Sequence, residues 1–153
     1  MIEPVLLEVS VVVLGIFLLM AEAFGLKEKK TLASWAIGGL VTVFIATFLI
    51  GPNPTGLEAS GFYVVDGLSL FFKRFLILST ILVLVMSVDY LPIVQRLVPG
   101  EKPGAGSGEF FILPVFTCAG LMWMASATDF IMIFCALELV TISFYIQVAY
   151  MRR

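Results

Sequence analysis

The residue type most able to do chemistry in this chain is a carboxylate in an apolar setting, Glu138. It interrupts the stretch Thr128 to Tyr150, T-D-F-I-M-I-F-C-A-L-E-L-V-T-I-S-F-Y-I-Q-V-A-Y. About 20 mostly apolar residues suffice to cross a hydrocarbon core of ~30 Å at ~1.5 Å per helical residue. A helix starting at Asp129 carries Glu138 about 13 Å along its axis, near mid-membrane. A carboxylate there costs at least ~2.5 kcal/mol, so it needs polar company or a bound proton. Cys135, Thr141 and Tyr145 fall within about 60° of Glu138 on a helical wheel, whereas Ser143 and Gln147 point elsewhere. That polar stripe is expected to face protein or water. Two uses of Glu138 fit: a proton-transferring group, or a protonated hydrogen-bond donor to a neighbouring helix.

Other chemistries lack their residues. The chain has no His, which removes histidine-ligated haem and the usual His-based metal or triad chemistry. Cys118 and Cys135 lie in separate apolar stretches without C-x-x-C spacing and read as packing residues. No G-x-G-x-x-G follows a strand, and no cysteine cluster could hold an iron–sulfur centre. The chain itself is therefore expected to bind no cofactor and no metal. Basic patches with interleaved aromatics are missing too, so nucleic acid is not an expected partner.

Composition supplies the class. Hydrophobic residues are 61% and charged residues 13% of the chain, and mean hydropathy is +1.11. Soluble domains carry about 25% charged residues, so the expected surroundings are a lipid bilayer. The pattern predicts an all-α, polytopic membrane protein: a single membrane domain over 1–153 with about five transmembrane helices, near 5–24, 31–50, 70–88, 109–127 and 129–150. A Pro/Gly-rich loop is expected over 92–108, and G-P-N-P-T-G at Gly51 to Gly56 breaks the chain between the second and third helices.

Each helix has its own marks. The first run resembles a signal peptide near Ala21-Glu22-Ala23, but Met1-Ile2-Glu3 has no basic side chain, so an uncleaved helix is expected. Glu8, Gly15 and Glu22 recur at seven-residue spacing and mark a helix-contact face, with Glu22 near Lys27 and solvated or snorkelling. Ser34, Gly38, Thr42 and Ala46 form a small-residue stripe that permits close approach of a neighbouring helix. Lys73 and Arg74 interrupt the third helix and are expected to snorkel outward or to pair with Asp66. Pro114 should kink the fourth helix unless it lies in the first turn. Thr128 or Asp129 should cap the fifth, making helices four and five an antiparallel hairpin.

Basic residues orient the chain. Lys27, Lys29 and Lys30, then Arg96 and Lys102, then Arg152 and Arg153 fall in alternate connections, while 51–63 and 127–129 have none. The positive-inside rule puts the N-terminus outside and the C-terminus in the cytoplasm; only Lys73 and Arg74 resist the count.

Glu109-Phe110-Phe111, then Gly120-Leu121-Met122-Trp123-Met124-Ala125-Ser126-Ala127, Asp129-Phe130 and Leu137-Glu138-Leu139 carry a resemblance. They resemble helices four and five of the proton-pumping antiporter-like subunits of respiratory complex I, above all the N-type subunit of bacterial NADH:quinone oxidoreductase, counterpart of mitochondrial subunit 2. Val65 to Lys73 also resembles the start of that family's third helix. The resemblance implies that Glu138 is the helix-five carboxylate of a proton path, with a lysine partner on a later helix that lies beyond Arg153. It implies that this chain matches the N-terminal part of the subunit, a split polypeptide or a truncated product. It further implies partners: other membrane-arm subunits, including a chain supplying the later helices. NADH, FMN, iron–sulfur clusters and quinone would then act on other subunits, and the location would be the cell inner (plasma) membrane. Two other readings stay open, a subunit of a multi-subunit cation/proton antiporter and a non-catalytic structural membrane subunit.

Overall fold

The computed structural model describes residues 5–24, 29–50, 61–97 and 108–150. Five helices follow in order: α1 (Val5–Ala23), α2 (Lys29–Leu49), α3 (Gly67–Leu97), α4 (Glu109–Met124) and α5 (Phe130–Tyr150). Spans within α1, α2, α3 and α5 are long and apolar enough to cross a membrane. α4 is the short one, 16 residues or about 24 Å. The chain is thus all-helical and built for several membrane crossings, as its composition requires. The break at 51–56, Lys27, residues 98–107 and the tail from 151 lie outside the described residues.

α4 sits in the centre. It packs against α1, α2, α3 and α5, while α5 packs, among the described helices, on α4 alone. The sequence explains why α4 takes that place, since E-F-F-I-L-P-V-F-T-C-A-G-L-M-W-M is apolar nearly all round and has no lipid-facing side to prefer. Phe111, Ile112, Val115, Cys118, Ala119 and Met122 are buried in one cluster with Leu7, Val11 and Leu18 of α1, Leu32, Ala36 and Leu40 of α2, and Ile77 and Leu84 of α3. Pro114 lies inside α4 in its second turn, where it forfeits one backbone bond. The helix continues past it to Met124.

Close approaches occur at Gly15, as expected, and at further glycines, but not at Gly38. A side chain on Gly39 would meet Leu14 of α1, and one on Gly120 would meet Val140 of α5 at 2.8 Å and the Ala136 carbonyl at 3.2 Å. Gly38 meets nothing within 4 Å. The stripe of Ser34, Gly38 and Thr42 is exposed, with Ala46 half-buried; Ala33, Ala36, Leu40 and Val43 face inward instead. The small-residue stripe therefore does not mediate packing among the described helices. On α1 the expected face is the packed one: Glu8 and Gly15 are buried, with Phe116 against Gly15. Glu22 is half-buried beside Gly108 at the head of α4.

α3 extends beyond the predicted 70–88 at both ends. Asp66 and Ser69 explain its early start, through a reciprocal cap in which Ser69 N–H donates to Asp66 Oδ1 (2.7 Å) and Asp66 N–H to Ser69 Oγ (3.1 Å). The Ser69 amide holds the Asp66 carboxyl below its ordinary range. At the other end the helix runs to Leu97, so the first part of the expected 92–108 loop is helical.

Candidate functional site

Two of the charged positions inside the membrane-length helices bear on function. The first is Glu138 on α5, in the third turn of a 21-residue helix. Asp129 sets the start of that helix, its Oδ2 accepting the Ile131 amide (3.0 Å) and its carbonyl the Ile133 amide (3.0 Å). Thr128 does not cap; its hydroxyl donates to the Gly61 carbonyl (2.7 Å). Glu138, Cys135 and Tyr145 are exposed on the side of α5 away from α4, and Thr141 is half-buried. The Thr141 hydroxyl donates to the Glu138 carbonyl (3.1 Å), a bond within the helix. The four residues share a face as the wheel requires. The α5 side chains that turn inward are Ala136 and Ser143, the latter donating to the Leu139 carbonyl (2.8 Å). The Glu138 carboxylate meets no ion-pair partner among the described residues.

The second place was not foreseen. Lys73 is fully buried and its Nζ lies 2.7 Å from Glu8 Oε1 of α1, with both side chains essentially inaccessible. Tyr63 completes a triangle: its hydroxyl donates to Glu8 Oε1 (2.7 Å) and accepts from Lys73 Nζ (3.0 Å). The ammonium also lies 5.1 Å from the Tyr63 ring centroid. Glu8 Oε2 is buried without a partner. The expectation that Lys73 snorkels outward or pairs with Asp66 is therefore wrong, because Asp66 is spent on the cap of α3 and Lys73 points at α1. Arg74, one residue on, turns to α2 instead. Its Nη2 donates to the Thr47 carbonyl (2.9 Å) and its guanidinium stacks over Phe48 at 4.5 Å. That bond serves one of the carbonyls left free at the end of α2.

One sequence signal could have found the pair. Antiparallel helices alternate in direction, so the starts of α1 and α3 share one end of the bundle. Glu8 and Lys73, opposite in sign, then lie about 5 Å and about 9 Å along their helices. Tyr63 was hidden because it precedes the helix and belongs to no periodic pattern. It is placed by an isolated antiparallel bridge to Ala127, with the Val64 amide donating to the Ser126 carbonyl (2.9 Å) and the Thr128 amide to the Phe62 carbonyl (3.2 Å). Gly61, at φ 75°, permits the entry into this segment. No group of three or more His, Cys, Asp or Glu side chains that could hold a metal occurs among the described residues.

Membrane-length helices with an ion pair inside the bundle and a carboxylate on its flank define a multi-pass helical membrane protein that carries charge within its span. Comparison narrows the class. The chain is 32% identical over 145 residues to NADH-quinone oxidoreductase subunit N of Magnetococcus marinus, covering 94% of this chain and 28% of the relative. It is 36% identical over 123 residues to subunit N of Desulforamulus reducens, covering 80% and 24%. NAD(P)H-quinone oxidoreductase subunit 2 of Gloeothece citriformis is 32% identical over 129 residues, covering 84% and 23%. No protein-family model matches. The chain spans about a quarter of the length of these curated relatives. It resembles the N-terminal part of subunit N, as the motif from Glu109 to Tyr145 indicated.

Proposed function

We propose that the chain is a membrane-arm subunit of a proton-translocating NADH:quinone oxidoreductase, and that Glu138 transfers protons there. The observation that carries this reading is the position of Glu138, in the third turn of a membrane-length helix and on the flank that the bundle leaves uncovered. Lipid offers a carboxylate no hydrogen bond, so this flank calls for a partner helix or internal water. Similarity to NADH-quinone oxidoreductase subunits favours this reading over a cation/proton antiporter. Cys135, Thr141 and Tyr145 line the same flank and would supply polar surroundings. Helices that cover this flank would provide a cation for Glu138. Nicotinamide, flavin, iron–sulfur and quinone chemistry belongs to other subunits, and the complex resides in the cell inner membrane.

Glu138→Gln tests the reading, since it keeps size and hydrogen bonding and removes ionisation. In membranes carrying the assembled complex it should leave subunit content unchanged and sharply reduce proton translocation and quinone-linked turnover, with Glu138→Asp retaining part of both. Proton pumping at the unsubstituted level in an assembled Glu138→Gln complex would sink it. A structural carboxyl would show the reverse order, Gln tolerated and Asp damaging.

The proposed orientation puts the N-terminus outside and the C-terminus in the cytoplasm. The internal pairing of Lys73 with Glu8 removes it from the count of loop charges, which otherwise favours this arrangement. A cysteine at Asn53 should react with a membrane-impermeant thiol reagent in intact cells, and one at Lys29 should not; the opposite pattern reverses the topology.

A further inference from the structure

We propose that Glu8, Lys73 and Tyr63 form an ionic clasp that holds residues 61–66 against the turn between α4 and α5, and thereby sets the position of α5. The backbones of α1 and α3 make no close approach to each other among the described residues, so these two helices meet only through side chains, the buried Glu8–Lys73 pair among them. The Tyr63 hydroxyl donates to Glu8 and accepts from Lys73 on one side, and its backbone reaches the α4–α5 turn on the other. Val65 and Leu70 are buried with Tyr63 in a small cluster against Val5, which seats the segment on α1. From there the Val64 amide, the Thr128 amide and the Thr128 hydroxyl tie residues 61–64 to residues 126–128. Asp129, next in the chain, caps α5.

α5 has few other anchors. Its packing within the bundle is against α4 alone, and only 11% of its apolar window is buried. A helix held along one seam can slide or roll; tying the turn that leads into it limits both. An ion pair suits this task better than an apolar contact. A buried charge without its partner is strongly unfavourable, so the arrangement that joins all three groups is favoured over any that separates them. Glu8 engages the clasp through Oε1 alone, its Oε2 being buried without a hydrogen-bond partner. Lys73, Glu8 and Tyr63 are positioning residues; their link to translocation rests on the role proposed for Glu138, but the clasp itself does not.

The test is hydrogen–deuterium exchange on the complex assembled in its membrane, read at residues 61–66 and 126–130. Tyr63→Phe should lower protection in both segments by about threefold to about twentyfold, the range for losing one hydrogen bond within a membrane protein, and leave residues 36–43 of α2 unchanged. Thr128→Val, which removes an exposed bond without touching the buried charges, should lower protection in the same two segments. The exchange of charges, Glu8→Lys with Lys73→Glu, should recover protection that either single change loses. Protons moved per quinone reduced, counted per assembled complex, should also fall in Tyr63→Phe. Unchanged protection in Tyr63→Phe and Thr128→Val overturns the clasp, and so does a charge exchange that recovers nothing. Lost protection with an unchanged proton ratio overturns its role in positioning Glu138. Normal pumping by Glu138→Gln would defeat the Glu138 reading and leave the exchange results standing.

Discussion

Glu8 and Glu138 are both glutamates inside membrane-length helices, and the bundle treats them in opposite ways. Glu8 is closed: buried, with a lysine at 2.7 Å and a tyrosine hydroxyl at 2.7 Å, all from this chain. Glu138 is open, on the outer flank of α5 with Cys135 and Tyr145 beside it. A membrane protein can compensate an internal charge in either way, within its own fold or through a partner. The closed arrangement commits the charge to holding structure. The open one leaves it available to whatever covers that flank. Under the proposed function it is the open carboxylate, not the closed one, that would move protons.

The largest effect should come from breaking the closed site on one side. Lys73→Met leaves the Glu8 carboxylate buried without compensation, and losing one member of a buried pair costs about 3–5 kcal/mol. The amount of assembled complex in the membrane should drop steeply. The double substitution Glu8→Gln with Lys73→Met removes both charges and should restore much of it. Glu138→Gln, by contrast, should change translocation and not the amount. If Lys73→Met assembled normally while Glu138→Gln did not, the assignment of the two glutamates would have to be exchanged.

A smaller effect separates the packed seams from the outer flanks. Gly120→Ala drives a methyl group into Val140 and the Ala136 carbonyl, so α5 must move off α4. Overpacking of this kind costs about 1–3 kcal/mol, and thermal stability of the purified complex should fall. Gly38→Ala meets nothing within the chain. If its flank faces lipid, the change should leave stability equal or raise it slightly, by up to ~1 kcal/mol of helix propensity. A large loss from Gly38→Ala would show instead that a partner helix sits on that face, the use that small residues at Ser34, Gly38 and Thr42 would allow.

Sequence alone was enough for the all-helical membrane class, the order of five helices, and the face of α1 bearing Glu8 and Gly15. Hydropathy runs and the spacing of small and polar residues are local, and a helix reads them along one strand of chain. The shared face of Glu138, Cys135, Thr141 and Tyr145 follows from the same periodicity. What periodicity cannot say is which way a face turns once helices pack. α2 turns Ala33, Ala36 and Leu40 inward and its small-residue stripe outward, because the apolar faces of α1, α3 and α4 lie on that side. The pairing of Lys73 with Glu8 was decided by the tertiary structure for a related reason. Lys73 lies seven residues from Asp66 in sequence, but Asp66 faces solvent and closes the cap of α3, whereas a lysine inside the bundle must meet a carboxylate that is also inside. Only the packing of α1, α3 and the Tyr63 segment around α4 brings that carboxylate within reach, across more than sixty residues of chain.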